Sequence, residues 1–211
     1  KEAQASYISH LDTMRTFQRV FPRAELHLKH SNGFHPHPII SIVLPLPVGQ
    51  SSDCELLDFE TVEETDGAGI AEKLNTGLPA GLRVRECYPV TRPVREFTFL
   101  RARLELLYDN GVPAGTADAL RALFARETLM IEKRTKHKEL AQIDIAPLIR
   151  EMTLTEQDGS ILADAVVAAQ NPGLNPAYLA QAIERELPSL KPDFVRVRRT
   201  EIYDTEGNVF R

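Results

Sequence analysis

The feature that most constrains this 211-residue chain is an order of elements that occurs twice. Apolar residues recurring every second position mark strands, and apolar residues recurring at three and four mark helices. In the first half, residues 3–8 read as the tail of a strand. Ser9 then opens a helix with Leu11, Met14, Phe17 and Phe21 on its buried face, ended near Pro22. Strands follow over 26–29, 39–44 and 56–62. A helix capped by Asp66 carries Ile70, Leu74 and Leu78, and a strand starts at Leu82 and runs towards Val90. In the second half the order returns. A long strand spans 97–108, a helix 116–126 turns Leu120, Leu123 and Phe124 inward, and a strand spans 129–134. A hairpin folds 151–155 onto 160–169 about Asp158-Gly159. A helix begins at Asn175-Pro176, and a last strand runs from Phe194 to Tyr203.

The two halves also end alike. Leu78-Pro79 precedes Arg83-Val84-Arg85, and Leu187-Pro188 precedes Arg196-Val197-Arg198. An alternation of Arg and Val implies a sheet with one buried and one solvated face. The expected fold class is therefore α+β, with two ferredoxin-like (split βαβ) domains in tandem. Arg92-Pro93 reads as the linker, giving an N-terminal domain at 1–92 and a C-terminal domain at 93–211.

Charge narrows the function. The net charge is −5, and a general grip on nucleic acid draws on a basic excess, so any such site must be local. The charge is segregated along the chain. Eight acids lie between Asp53 and Lys73, whereas Arg and Lys dominate from Arg92 to Lys138. There is no Trp, so stacking rests on Phe, Tyr and His. Cys54 and Cys87 are too few to hold an iron–sulfur cluster by themselves. With no long apolar run and no signal peptide, no membrane contact and a cytoplasmic location are expected.

Three groups of residues could carry chemistry. The first joins His10 and Asp12 to His35 and His37. Histidines two apart with an aspartate nearby suit a divalent metal such as zinc, with His10, His35 and His37 as candidate ligands. His10, Asp12 and His37 are equally the candidate catalytic set, since a histidine in the first turn of a helix is kept neutral and suits a general base. A structural account competes: Ser9 and Asp12 form a capping box, and Pro36 and Pro38 stiffen a connection. The second group is the basic run with Lys133, Arg134, Lys136 and Lys138, which could hold phosphates or form a solvated loop. Arg83, Arg85, Arg196, Arg198 and Arg199 extend it if both sheets expose the same side. The third is Leu44-Pro45-Leu46-Pro47-Val48-Gly49, a docking edge or a proline-ended strand.

Tyr7-Ile8-Ser9-His10-Leu11-Asp12, Ser31-Asn32-Gly33-Phe34-His35-Pro36-His37-Pro38 and Leu44 to Gly49 resemble the motifs of the radical SAM-linked (radical SAM-associated) family, a domain of unknown function. Lys133 to Lys136 and Ile143 to Ile149 resemble its second half. The resemblance spans nearly the whole chain. Members occur as separate chains or fused behind a cobalamin-type radical SAM protein, often beside ribosomal-protein and ribonuclease genes. That implies a radical SAM partner and an RNA substrate. His35 departs from the family pattern, where Asn is common, which favours His10, Asp12 and His37. The ferredoxin-like pair is also similar to CRISPR repeat endoribonucleases, whose glycine-rich C-terminal loop is missing here.

The expected function is an accessory module for a radical SAM enzyme, rather than an enzyme on its own, acting on RNA or an RNA-linked substrate. Ser9, Gly33, Phe34, His35, Lys133, Arg134, Lys136 and Lys138 would bind it. Its cofactor set is a divalent metal at most. The alternatives are a metal-dependent hydrolase or ribonuclease using His10 and His37, and a protein-binding adaptor using the acidic stretch 53–66.

Overall fold

The computed structural model describes residues 1–134 and 140–211, with the backbone alone of Arg134. The architecture is mixed α+β, and the chain forms two compact units, Lys1–Val94 and Arg95–Arg211. No helix among the described residues is long and apolar enough to cross a membrane.

The N-terminal unit is built around helix α1 (His10–Arg23) and helix α2 (Ile70–Gly77). Between them lie the short strands β1 (Ile40–Ile42), β2 (Ser51–Ser52) and β3 (Leu57–Phe59). β1 and β3 pair antiparallel, and Leu28 bridges to Thr61 beyond them. Phe17, Val20 and Phe21 of α1 pack with Leu28, Ile70 and Leu74. The Phe21 and Phe59 rings meet edge to face, 4.7 Å between centroids, a favoured aromatic geometry.

Several expectations for this unit are overturned. Residues 3–7 form a 3-10 turn, not a strand. Leu11 is 64% exposed; the buried face of α1 is Thr13, Phe17, Val20 and Phe21. The helical period holds, but the apolar stripe begins one turn later than the first leucine. Residues 82–90 form no strand among the described residues. The reason is local. Asn75 of α2 donates its amide to the Val84 carbonyl and accepts from the Val84 N–H, both at 2.8 Å. One side chain satisfies both backbone groups that a ladder would have used. Leu26 to Lys29 is not a named strand; Leu28 bridges to Thr61, and the Lys29 N–H donates to the Glu60 carbonyl at 2.8 Å.

The C-terminal unit has a longer sheet. Its strands are β4 (Phe97–Leu107), β7 (Ile149–Gln157), β8 (Ser160–Ala168) and β9 (Phe194–Asp204), in the order β9-β4-β8-β7 with every neighbour antiparallel. Helix α3 (Thr116–Phe124) follows β4, and helix α4 (Ala177–Glu186) follows β8. A separate hairpin, β5 (Met130–Arg134) with β6 (Leu140–Asp144), is inserted after α3.

Alternation along β4 sorts the two faces. Leu100, Ala102, Leu104 and Leu106 are buried, with Ile161, Ala163, Ala165 and Val167 on β8. Leu120 and Leu123 of α3 and Leu179 and Ile183 of α4 are buried as well. Each such leucine or isoleucine stabilises the fold by about 1.5–3 kcal/mol relative to exposure. Phe99, Arg101, Arg103 and Glu105 take the opposite face, which stays open.

Candidate functional site

Ser9 has extended backbone angles and caps α1. Its Oγ accepts from the Asp12 N–H at 3.1 Å and donates to Asp12 Oδ2 at 2.8 Å. Arg15 donates to Asp12 Oδ1 at 3.1 Å. The Ser9 hydroxyl first, then Arg15, hold the Asp12 carboxyl below its ordinary value. Asp12 is thus engaged in the cap and in an exposed ion pair. His10 is the first residue of α1 and is half-buried. Its Nδ1 is shielded from solvent and has no hydrogen-bond partner among the described residues. Such an orphan is rare, because burying a polar atom without a partner costs about 1–3 kcal/mol.

The second motif folds as a hairpin. Ile39 donates to the Lys29 carbonyl at 2.8 Å, and Ser31 donates to the His37 carbonyl at 2.9 Å. His30 and Pro38 form a bridge between the arms. Gly33 sits at φ +129°, a conformation a side chain would strain. Phe34 is wholly exposed at the tip, and His35 beside it is exposed too. Ser31 Oγ lies 2.9 Å from His37 Nδ1 and fixes the ring.

These residues are not drawn together as a metal centre. Among the described residues no group of three or more His, Cys, Asp or Glu side chains is placed to hold a metal ion. His10, His35 and His37 are not grouped as such a set there. The motif segments instead display apolar side chains. Tyr7 is 68% exposed and Val48 is 59% exposed. Gly49 donates to the Ser6 carbonyl at 3.0 Å, which ties the Pro47 turn to the segment before His10.

The basic run is placed only in part. Lys133 lies near the end of β5 with its Nζ 6.0 Å from the Tyr178 ring centroid. Arg134 pairs with Leu140 through the backbone. Lys136 and Lys138 lie outside the described residues. Of the arginines thought to extend the patch, Arg83 and Arg85 sit outside any strand, and Arg85 pairs with Asp53 at 2.6 Å. Arg199 is buried. A bulge at Thr200 shifts the register, so Arg199 opposes the buried Ala102 while Arg198 opposes Arg103 on the open face.

A hollow of about 300 Å³ opens between α3 and β7, lined by Arg121, Phe124, Ile149, Arg150, Met152 and Leu154. None of the candidate binding, catalytic or metal residues named from the sequence lines it. Sequence reasoning also missed the aromatic pair on the open sheet face, Phe99 of β4 directly opposite Tyr203 of β9. The every-second-residue pattern of Phe99, Arg101, Arg103 and Glu105 was a signal for the face. The partner needed the register.

The molecule is thus an α+β protein in which Ser9 and Asp12 cap helix α1, His10 opens that helix half-buried, and Phe34 and His35 are exposed on a hairpin. The chain belongs to the family described as uncharacterized protein conserved in bacteria (DUF2344), whose model matches residues 1–176. No curated protein matches the chain. Helix α4 and strand β9 follow the matched stretch.

Proposed function

We propose that this chain is a binding module that works with a radical SAM enzyme and presents an RNA or RNA-linked substrate to it. The observation that carries the reading is the hairpin at 31–37. It holds a wholly exposed Phe34 on a neck clasped by Ser31 and His37. A solvent-facing aromatic at the tip of a hydrogen-bonded loop suits insertion into a partner's pocket, where buried aromatic anchors dominate binding energy. The motifs resembling the radical SAM-linked family supply the identity of that partner. The partner would bring the iron–sulfur cluster, because Cys54 and Cys87 are the only thiols here. We read the units as a ferredoxin-like pair; the order β9-β4-β8-β7 with two helices in the C-terminal unit supports that reading.

The test is co-purification with a cobalamin-type radical SAM protein from the same source, for the wild type and for Phe34→Ala. A complex that the variant loses is the expected result. Absence of any complex, with or without RNA, overturns the reading.

A second reading draws on the shielded Nδ1 of His10: a metal-free ribonuclease in which His10 is the base. It requires RNA cleavage by the chain alone that His10→Ala abolishes while the protein stays folded.

A further inference from the structure

Phe99 and Tyr203 are directly opposite each other on neighbouring strands, and both are half-buried on the open face of the C-terminal sheet. Directly opposed residues bring their Cβ atoms to about 4.5–5.5 Å. Each ring carries an arginine. The Arg150 guanidinium lies 4.6 Å from the Phe99 centroid, and that of Arg101 lies 5.8 Å from the Tyr203 centroid.

The backbone is irregular around this cluster. The β4–β9 register shifts between Phe97 and Phe99, and again between Arg101 and Ala102. The β7–β8 register shifts between Ile149 and Glu151, which makes Arg150 the extra residue. Bulges re-aim side chains and concentrate beside functional sites. Here three of them surround one pair of rings.

From this geometry we propose that the open face of the C-terminal sheet is a single-stranded RNA-binding surface, with Phe99 and Tyr203 as stacking platforms for two successive bases. The inference rests on the reading that the substrate is RNA, and it assigns the site to the sheet rather than to the basic run at 133–138. Single-stranded RNA is recognised by splayed bases stacked on aromatic rings and guanidinium planes, often on the open face of a four-stranded antiparallel sheet. Both kinds of plane are present here, on strands β4, β9 and β7.

The charge on the face selects against a duplex. Arg101 lies 3.3 Å from Asp164, Arg103 lies 3.5 Å from Asp164, and Arg196 lies 3.0 Å from Glu105. Glu151 lies 3.4 Å from Arg101, and Glu201 is directly opposite it. Together with Asp164 and Glu105 they orient the guanidinium groups and offset most of the charge of Arg101, Arg103, Arg150, Arg196 and Arg198 on this face. A near-neutral face has little general hold on a duplex backbone, whose binding is driven by phosphate neutralisation. Stacking then supplies most of the affinity, so the salt dependence is shallow. A patch at Lys133–Lys138 would give the opposite signature, a steep loss with salt.

The experiment is fluorescence anisotropy of a labelled 12-nucleotide single-stranded RNA, and of the same sequence as a duplex, with the full chain at low and moderate salt. The variants are Phe99→Leu and Tyr203→Leu, singly and together, which keep apolar bulk and remove the rings. Circular dichroism checks the fold, and Arg150→Gln serves as an independent probe of the same cluster. We expect preference for the single strand and a loss of about tenfold per ring removed. Arg150→Gln weakens binding several-fold. If the single strand binds but the folded ring variants and Arg150→Gln bind equally well, the sheet-face inference is overturned and the RNA reading survives. If the wild type binds neither RNA even at low salt, the RNA reading itself falls and takes this inference with it.

Discussion

Ser31 and His37 clasp the neck of the loop that carries Phe34. The Ser31 N–H donates to the His37 carbonyl at 2.9 Å, the His37 N–H donates to Ser31 Oγ at 3.2 Å, and that same oxygen lies 2.9 Å from His37 Nδ1. A loop fixed from within separates stability from display. Phe34→Ala removes a side chain that touches solvent, so the unfolding free energy should move by less than about 0.5 kcal/mol. Ser31→Ala removes two side-chain hydrogen bonds at the neck and should cost about 1 kcal/mol. Urea unfolding of the two variants checks this. A large loss of stability in Phe34→Ala would mean that the ring is packed rather than displayed.

At the start of α1, Ser9 and Asp12 combine a cap with a tuned carboxyl. Ser9→Ala should destabilise the protein by about 1 kcal/mol, the usual cost of losing such a cap. It should also raise the Asp12 titration midpoint, because the Ser9 hydroxyl is the largest cause of its depression. The folded value lies below the unfolded one, so Asp12 stabilises the fold above the ordinary carboxylate range and loses that contribution as pH falls through the depressed value. NMR titration of the Asp12 carboxyl in wild type and variant reads this directly. An unchanged midpoint would remove Ser9 from the cause.

The C-terminal unit was more legible in the sequence than the N-terminal one, for a physical reason. β4 and β9 are each 11 residues long, so period two is sustained and the buried face is unambiguous. The N-terminal strands have two or three residues, too few for a period, and Asn75 diverts Val84 from a ladder altogether. The capping box at Ser9 was readable because its logic is local. The spacing of His35 and His37 suggested ligands, but convergence with His10 depends on chain paths that spacing does not encode. The opposition of Phe99 and Tyr203 joins residues 104 positions apart through a bulged register, and no local pattern announces it.

Tyr108 offers a pH-dependent test of the C-terminal unit. Its hydroxyl donates to the Leu190 carbonyl at 3.0 Å. Burial first, and the charge of Asp193 second, push its pKa up to about 12. The folded value exceeds the ordinary value of 10.0, so the contribution is fully present below pH 10 and is lost as pH rises towards 12. Stability followed by denaturant unfolding should therefore decline across that window. Tyr108→Phe should flatten this part of the decline, and cost about 1 kcal/mol at neutral pH by leaving the Leu190 carbonyl without its donor. An identical alkaline decline in the variant would assign it to other groups.

Gly81 gives the sharpest test of how the N-terminal segment is seated. The Glu2 N–H donates to the Gly81 carbonyl at 2.9 Å, which brings the two backbones together. Gly81 has φ +83°, and a Cβ there would collide with the Glu2 carbonyl oxygen and come within 2.9 Å of the Ala5 methyl. Ala5 is buried, so neither neighbour is the movable end of a long side chain. Strain and collision therefore act together, and Gly81→Ala should destabilise by more than about 1 kcal/mol. Gly111→Ala is the matched control, because Gly111 has φ +82° with nothing near its would-be Cβ. It carries the strain without the collision. Urea midpoints of the two variants separate the terms: Gly81→Ala should fall clearly below Gly111→Ala. Equal losses would mean that residues 2–5 move aside freely, and that the N-terminal segment is not anchored on the Gly81 turn.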